Sequence, residues 1–211
     1  MEARRLEGSA LVDELYMLTE ALPQDLLQQT IDWITTTQDW KPLSLAMPKS
    51  RKVIHYGLKY NYNTGGVGGP ADDMPQVIIA LREVLKNACA HVEGVTHRDL
   101  DFVQCIVNEY LPGQGIGAHI DSMDFGPVIG CFVFNIGEGA ESAMTFTLNG
   151  SSVDVATPHN SLYIMTGLAR YNYRHALQGR KAYATRVSIT FRSIAAKQRD
   201  LTTHKVLGYR E

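Results

Sequence analysis

The chain has few cysteines, no long apolar run and almost no net charge, and each shortage excludes a class of protein. Its three cysteines, Cys89, Cys105 and Cys131, are far apart and form no C-x-x-C motif, which excludes a disulfide framework and a zinc knuckle. No run approaches the ~20 apolar residues of a membrane-spanning helix. The stretch 1–16 lacks the continuous apolar core of a secretory signal. We therefore expect buried thiols in a reducing compartment, the cytoplasm or the nucleus.

The bulk composition is that of a soluble globular protein. Of the 211 residues, 45% are hydrophobic and 20% are charged, and this length suits one domain, which we expect to be a monomer. The formal net charge is −2, so the chain as a whole is not attracted to nucleic acid. Any binding of phosphate groups must come from a local basic patch.

Two stretches have helical periodicity, and a series of short strands follows them. Apolar side chains that recur at intervals of three and four predict helices over residues 23–36 and 74–93, packed outside a sheet. After Asp99, short apolar runs separated by Gly, Asn, Ser and Pro predict strands near 102–110, 128–136, 143–148, 152–156, 161–165, 171–177 and 184–193. We expect a mainly β fold with flanking helices, a jelly roll or double-stranded β-helix whose N-terminal helices pack on the outer sheet.

Residues 108–121, NEYLPGQGIGAHID, end in two potential metal ligands, His119 and Asp121. Residues two apart in an extended strand point the same way, so both side chains face one cavity. A second histidine would complete the facial triad of non-haem Fe(II) oxygenases, which leaves coordination positions open. His175, in the aromatic run 170–177, is the candidate. The tripeptide H-x-D alone is weak evidence because it arises by chance.

The run ATRVSITFRSI, residues 184–194, makes this interpretation more specific. With a period of two, one face carries Arg186, Ser188, Thr190 and Arg192, and the other carries Val187, Ile189 and Phe191. The apolar face can pack against helices, whereas the polar face puts two guanidinium groups inside a barrel. A buried arginine needs an anionic partner, and a dicarboxylate would provide one.

Taken together, these motifs resemble the AlkB-like branch of the Fe(II)/2-oxoglutarate dioxygenases. The resemblance covers roughly residues 100–195 and depends on several motifs in the right order. They are N-x-Y-x-P-G at 108–113, H-x-D at 119–121, G-x-x-R at 167–170 followed by His175, and R-x-S-x-T-x-R at 186–192. Many family members have Asn at the position of Ser188, so the chain departs from the family there.

The resemblance implies a cofactor set and a role for each motif residue. His119, Asp121 and His175 would bind Fe(II), and Arg186 would bind the distal carboxylate of 2-oxoglutarate. Asn108, Tyr110, Ser188 and Arg192 would complete the 2-oxoglutarate site. With O2, the reaction would give succinate and CO2 and hydroxylate a nearby C–H bond. On an N-methyl group, the hydroxymethyl product would release formaldehyde.

A weaker similarity to the same family lies in HYGLKYNY, residues 55–62. The most basic local cluster surrounds it, comprising Lys49, Arg51, Lys52 and Lys59, with Tyr56, Tyr60 and Tyr62 between. Such a segment offers phosphate contacts and stacking surfaces, and in AlkB-like proteins the matching region looks like a lid over the substrate. The alternative is a solvated strand and a flexible loop. We expect the glycine-rich stretch 64–69 to be a mobile connector.

The resemblance implies a nucleic-acid substrate whose base is flipped out or single-stranded. Oxidative demethylation of N-alkylated bases in DNA or RNA is the first expectation. Because residues 163–175 are similar to the subgroup that includes tRNA wobble-uridine hydroxylases, hydroxylation of a wobble uridine is the second, and a protein side chain is a further alternative. The expected wall residues of the substrate pocket are Tyr60, Tyr62, Met123 and Asp124.

Two other functions and one arginine remain open at this point. The two histidines and the aspartate would also serve a zinc hydrolase, although that would not explain two arginines and a tyrosine in the same interior. A jelly roll could also be a metal-free binding module. Arg170 either tunes the metal ligands or forms a surface salt bridge. We expect one domain over 1–211, with helices and lid over 1–98, the jelly-roll core over 99–195 and a polar tail over 196–211.

Overall fold

The computed structural model describes residues 6–43, 50–137, 142–179 and 184–196. Within these ranges the chain forms fourteen strands, three α-helices and one short 3-10 helix. In chain order the elements are β1 Glu7–Gly8, β2 Leu15–Leu18, α1 Gln24–Thr36, β3 Lys41–Pro42, β4 Lys52–Tyr56, β5 Leu58–Asn61, β6 Gly66–Pro70, α2 Gln76–Cys89, the 3-10 helix His97–Leu100, β7 Gln104–Tyr110, β8 Ile116–His119, β9 Phe125–Ile136, β10 Ala143–Leu148, β11 Ser151–Ala156, β12 Ser161–Met165, α3 Gly167–Tyr171, β13 Arg174–Leu177 and β14 Thr185–Ile194.

The strands form two main antiparallel sheets and a separate hairpin. The larger sheet has the order β1-β2-β12-β9-β14-β7-β4-β3, the smaller has β11-β10-β13-β8, and β5 pairs with β6. Apolar side chains of both main sheets meet in one core, for example Ile129 and Met165 from the larger sheet and Phe146 and Leu177 from the smaller. Most neighbours in each sheet are not consecutive in the chain, and this arrangement confirms the expected jelly roll.

The two long helices cover the outer face of the larger sheet, as expected. Leu81 and Leu85 of α2 are fully buried and pack with Ile189 and Phe191 of β14. The contact is close, because a Cβ atom at Gly130 of β9 would overlap the side chain of Leu85. Each fully buried side chain of this kind stabilises the fold by about 1.5–3 kcal/mol. The helices thus fix the outer face of the larger sheet and leave its inner face to the site.

One predicted strand, 171–177, is wrong in its first half. The chain there forms α3, Gly167–Tyr171, and only Arg174–Leu177 is a strand. Gly167 has a positive φ of 37°, which favours glycine, and the N–H of Leu168 donates to the carboxylate of Glu14, 2.5 Å away. This contact comes from a residue 154 positions earlier, so the local pattern could not predict it.

The glycine-rich stretch 64–69 was predicted to be a mobile connector, and this prediction is also wrong. Gly66–Pro70 is β6 and pairs with β5. A Cβ atom at Gly66 would overlap the carboxylate of Asp124, so glycine permits a close approach between the hairpin and the loop after β8. Lys49 and the expected tail from 197 onward lie outside the described residues.

The three cysteines are free and buried, as expected. Burial raises the pKa of Cys89 to about 12 and holds the pKa of Cys105 well above its usual value. Within the part of the chain that the structure describes, no helix combines the length and the apolar character needed to cross a membrane.

Candidate metal centre and its two cavities

His119, Asp121 and His175 come together, as predicted from sequence. One potential ligand atom from each residue lies within 4.8 Å of those from the other two. The pairing of β8 with β13 explains the two imidazoles, because His175 and His119 are direct cross-strand partners and their ring centroids are 4.4 Å apart. Asp121 lies two residues beyond His119, just after the strand ends.

The protonation of His175 and the hydrogen bond of His119 suit metal binding. Burial lowers the pKa of His175 to about 4, so its imidazole is neutral at pH 7 and has a lone pair to donate. Nδ1 of His119 lies 2.8 Å from the carbonyl oxygen of Gly117. A hydrogen bond from Nδ1 fixes the tautomer and leaves Nε2 as the ligand atom, as in many metal sites.

Asp121 is held as a carboxylate by its neighbours. Burial alone would raise its pKa, but Arg192, His175 and His119 outweigh burial and lower the pKa below its usual value. Oδ1 of Asp121 lies 2.5 Å from a terminal nitrogen of Arg192, and Oδ2 lies 3.6 Å from Nε2 of His175. Two imidazoles and one carboxylate around a common point therefore fit the three-ligand set of a non-haem Fe(II) centre.

Arg170 fixes the loop that carries Asp121, which excludes the surface salt bridge. The side chain is 1% exposed and donates hydrogen bonds to four backbone carbonyl groups. Their acceptors are the carbonyl oxygens of Asp121 at 3.0 Å, Ser122 at 2.7 Å, Phe125 at 3.3 Å and Gly126 at 3.3 Å. The helix α3, which the sequence pattern did not predict, delivers this arginine. Its contacts are with the backbone around the aspartate rather than with a ligand atom.

An inner cavity lies beside the triad, between the two main sheets. Its lining includes Asn108, Tyr110, Arg186, Ser188, Thr190 and Arg192, so the polar face predicted for β14 is confirmed. Arg186 is 3% exposed, and its Nε and one terminal nitrogen have no hydrogen-bond partner among the described residues. A buried cation without a partner is costly. The cavity therefore fits a small anion such as the distal carboxylate of 2-oxoglutarate.

The other predicted cosubstrate residues surround Arg186. Burial raises the pKa of Tyr110, so its hydroxyl stays protonated, and its ring lies 5.8 Å from the guanidinium carbon of Arg186. Asn108 donates to the hydroxyl of Ser188 at 3.4 Å. Arg192 also lines the cavity, but its guanidinium group binds Asp121 and the amide oxygen of Gln104, at 3.2 Å.

An outer cavity of about 290 Å³ opens on the other side of the triad. Its lining includes Arg51, Tyr60 and Tyr62, and it shares Asn108, Ile116, His119, Asp121 and Arg192 with the inner cavity. The volume is close to the lower end of small-molecule sites, about 300 Å³. Any group bound there lies next to the candidate metal centre.

The two tyrosines of the outer cavity are held by ring contacts. The ring of Tyr60 is 4.9 Å from that of Tyr62 and is stacked on Phe125 at 6.1 Å. The N–H of Tyr60 approaches Nδ1 of His55 at 3.5 Å, which leaves Nε2 to donate to the Tyr62 hydroxyl at 3.2 Å. Burial, followed by the charge of Arg192, lowers the pKa of His55 to about 4, so no cation lies at this position near pH 7.

The remaining two predicted wall residues lie apart from the lining of the outer cavity. Met123 is 59% exposed. Asp124 accepts a hydrogen bond from the N–H of Val67 at 3.3 Å, and so attaches the β5–β6 hairpin to the jelly roll. Their place directly after the H-x-D motif suggested proximity to a substrate. It gave no information on which way the loop turns.

Sequence reasoning missed several lining residues of the inner cavity. Tyr163 and Met165 of β12 and Met144 of β10 contribute side chains there. Tyr163 and Met165 lie in an apolar run, and Met144 lies in a strand that alternates apolar residues with threonine. In both patterns an inward side chain at a cavity wall looks the same as one in the core. No signal in a single sequence separates the two.

Comparisons with known proteins agree with this geometry. Residues 16–192 match the model of the 2OG-Fe(II) oxygenase superfamily. The tRNA (carboxymethyluridine(34)-5-O)-methyltransferase alkbh8 of Xenopus tropicalis is 33% identical over 187 residues, which are 84% of this chain and 27% of that protein. The uncharacterized protein L905 of Acanthamoeba polyphaga mimivirus is 33% identical over 180 residues, which are 77% of this chain and 82% of that protein.

Among solved structures, that of OsALKBH1 has a TM-score of 0.59 at 15% identity and covers 90% of this chain and 100% of its own. This likeness concerns the fold. The chain spans less than a third of the length of the alkbh8 relative, so that protein's methyl transfer is not carried over. The family model, in contrast, matches well over half of the chain. The chain therefore belongs to the 2OG-Fe(II) oxygenase superfamily as an AlkB-like, 2-oxoglutarate-dependent dioxygenase that uses Fe(II) and O2.

Proposed function

We propose that this AlkB-like oxygenase acts on nucleic acid and hydroxylates a modified uridine of tRNA. The observation that carries the proposal is the outer cavity, which opens directly on the triad and has two tyrosine rings and an arginine in its wall. Aromatic rings stack on bases of any sequence, and a guanidinium group binds anionic oxygens. A base that is flipped out or single-stranded could enter such a cavity.

In the proposed mechanism, His119, Asp121 and His175 hold Fe(II). The ion, with 2-oxoglutarate and O2, supplies oxidative decarboxylation to succinate and CO2 together with oxygen insertion into a C–H bond. Arg192 keeps the carboxylate of Asp121 ionised and fixes its orientation through the 2.5 Å contact. Arg170 holds the backbone on which this aspartate lies. These contacts keep the ligand set in place while the substrate changes.

The inner cavity would bind and orient 2-oxoglutarate. Arg186 would form a bidentate pair with the distal carboxylate, and the Tyr110 hydroxyl would donate a further hydrogen bond. Asn108 and Ser188 already contact each other and would close the polar wall. Ser188 is shorter than the Asn of many family members, so it would leave more space beside the cosubstrate.

The relatives support the choice of tRNA. A protein that is 33% identical over most of this chain has a name that gives a carboxymethyluridine of tRNA as its methylation substrate. Since this chain is an oxygenase, what we carry over is the substrate class. A tRNA substrate agrees with the expected cytoplasmic or nuclear location, which stays a prediction, as does the monomeric state.

Oxidative demethylation of N-alkylated bases in DNA or RNA remains the second candidate. It would use the same triad, the same cosubstrate contacts and the same stacking wall, so the chemistry at the metal does not separate it from hydroxylation. The two reactions differ in what the outer cavity must recognise. Hydroxylation of a protein side chain has no feature of the described residues in its favour.

A first experiment tests the assigned ligands. Conversion of 2-oxoglutarate to succinate would be followed with Fe(II) in the wild type and in His119→Ala, with His97→Ala as the control because this exposed histidine lies far from the cavities in sequence. We expect 2-oxoglutarate turnover in the wild type and in His97→Ala, and none in His119→Ala. Equal rates in all three proteins would reject His119 as a ligand.

A second experiment tests the substrate. Total tRNA and methylated oligonucleotides would be incubated with the loaded enzyme and analysed by mass spectrometry. Hydroxylation adds about 16 mass units and demethylation removes about 14, as expected for insertion of oxygen and loss of CH2 at an extruded base. We expect the gain, on a uridine of tRNA. A loss on the methylated oligonucleotides alone would favour the second candidate, and no change in either would contradict a nucleic-acid substrate.

A further inference from the structure

Arg51 is a cation of the outer cavity that the proposed mechanism does not use. It lies directly before β4, which is paired with β7 of the jelly roll. Its Nε donates to the side-chain oxygen of Asn108 at 2.9 Å, and its guanidinium carbon lies 5.7 Å from the centre of the Tyr110 ring. These two contacts hold the guanidinium group in one orientation at the wall of the cavity.

No carboxylate among the described residues accepts a hydrogen bond from the remaining N–H groups of Arg51. Among the described residues, no ion pair includes Arg51, whereas the neighbouring Lys52 pairs with Glu109 at 3.0 Å. The second arginine of the cavity, Arg192, is neutralised by Asp121, whose Oδ1 lies 2.5 Å from its terminal nitrogen. His55, which contacts the Tyr62 hydroxyl, is neutral near pH 7. In the part of the chain that the structure describes, the outer cavity thus presents one positive charge, that of Arg51, without a carboxylate partner.

This charge discriminates between the two candidate substrates. An adenine or cytosine alkylated on a ring nitrogen is cationic, so its entry would bring two positive charges together in a partly desolvated site. A uridine with an acidic substituent, or a nucleotide that inserts a phosphate, would bring a partner for the free guanidinium donors. The same guanidinium group would therefore repel a cationic base and bind an anionic group. The difference between these two affinities gives specificity.

We propose that Arg51 binds an anionic oxygen group, carboxylate or phosphate, of the nucleotide that enters the outer cavity. This inference deepens the proposed function and rests on it. Arg51 lies in the outer wall, and its contact with Asn108 would hold the guanidinium group toward the incoming nucleotide. Removal of its charge should therefore weaken binding of the nucleotide and leave the affinity for 2-oxoglutarate almost unchanged.

The test compares two RNA stem-loops that differ in one group. One carries 5-carboxymethyluridine, and the other carries its methyl ester at the same position, so their phosphates are identical. Equilibrium binding is measured under nitrogen to the enzyme loaded with Fe(II) and 2-oxoglutarate, in the wild type, Arg51→Gln and Arg51→Lys. Lys52→Gln is the matched control, because this lysine is the next residue and is paired with Glu109.

We expect Arg51→Gln to bind the anionic RNA about tenfold more weakly, the loss of one charge-assisted contact. Arg51→Lys should recover part of the affinity, and Lys52→Gln should match the wild type. If the loss is confined to the carboxylate RNA, the base carries the anion. If both RNAs lose affinity equally, a phosphate is the anion, and the proposal holds with that source.

Two outcomes overturn the inference. Unchanged RNA binding in Arg51→Gln would mean that the free charge is not used. A rise in the KM for 2-oxoglutarate without a change in RNA binding would mean that Arg51 serves only to orient Asn108. Failure of the wild type to bind either RNA would instead contradict the proposed tRNA substrate, so the two failures are distinguishable.

Discussion

The inner and outer cavities share His119 and Asp121 of the metal triad but are built in different ways. The polar wall of the inner cavity lies on β7 and β14, which are paired with each other over seven consecutive residues, within an eight-stranded sheet. The part of the outer wall that the inner cavity does not share lies mainly on residues 51–62, and the hairpin β5–β6 belongs to neither main sheet. A rigid cavity thus holds the reaction that all family members share. A peripheral segment forms the surface where substrates differ.

The largest expected effect comes from the triad, where the two cavities meet. Asp121→Ala should abolish 2-oxoglutarate turnover with every substrate, because it removes a ligand and leaves Arg192 as an unpaired buried cation. Fe(II) binding, measured by calorimetry, should be lost as well. Asp73→Ala, at an exposed carboxylate, is the control. Retained activity in Asp121→Ala would contradict this description of the two cavities, because turnover would then not depend on the triad.

The next effect is specific to the inner cavity. Arg186→Gln leaves the distal carboxylate of 2-oxoglutarate without its partner, and loss of one member of a buried ion pair costs about 3–5 kcal/mol, or roughly 10²–10⁴-fold in affinity. The KM for 2-oxoglutarate should rise by about this factor. Binding of RNA should stay close to that of the wild type. An unchanged KM would show that the anion lies elsewhere.

A smaller effect is expected in the outer cavity. Tyr60→Ala and Tyr62→Ala should each raise the KM for the nucleic acid about 5- to 100-fold, because stacking on a base contributes about 1–3 kcal/mol. The KM for 2-oxoglutarate should stay unchanged in both variants. Tyr62→Phe keeps the ring and should stay near the wild type. Equal effects on both substrates would remove the functional distinction between the cavities.

The smallest effect concerns the attachment of the hairpin. Gly66→Ala places a methyl group against the carboxylate of Asp124 and should release the N–H of Val67 from it. We expect faster amide exchange in β6, while the melting temperature changes by less than about 3 °C, because the opening is local. Gly69→Ala is the matched control, since a Cβ atom there has no neighbour within 4 Å. Slow exchange in Gly66→Ala would mean that other contacts hold the hairpin.

The inner cavity could be predicted from the sequence because its signals are periodic or directly spaced. The alternation along β14 separates Arg186 and Arg192 from Phe191, and the spacing of two brings His119 and Asp121 to one side. The pattern of short strands likewise predicted the jelly roll, and apolar residues at intervals of three and four predicted its two outer helices. Such regularities depend on backbone geometry alone, so a single sequence reveals them.

The outer cavity could not be predicted in the same detail. Its shape depends on contacts between distant residues, such as Asp124 with Val67 and Arg51 with Asn108, which leave no local pattern. The same reason explains the missed helix α3, which is stabilised by Glu14. Of the expected wall residues, Tyr60 and Tyr62 line the cavity, and they were predicted from the aromatic segment to which they belong. Met123 was predicted because it lies close to the H-x-D motif in sequence, and it lies apart from the cavity lining.

Because His175 and His119 are cross-strand partners, metal binding depends on the correct register of β8 and β13. β8 has four residues and, among the strands that the structure describes, lies at the edge of the smaller sheet with β13 as its one neighbour. A shift of β8 by a single residue would turn His119 to the opposite face, and the two rings could no longer reach one ion. Iron would therefore be retained only by molecules in which this short border strand is correctly aligned.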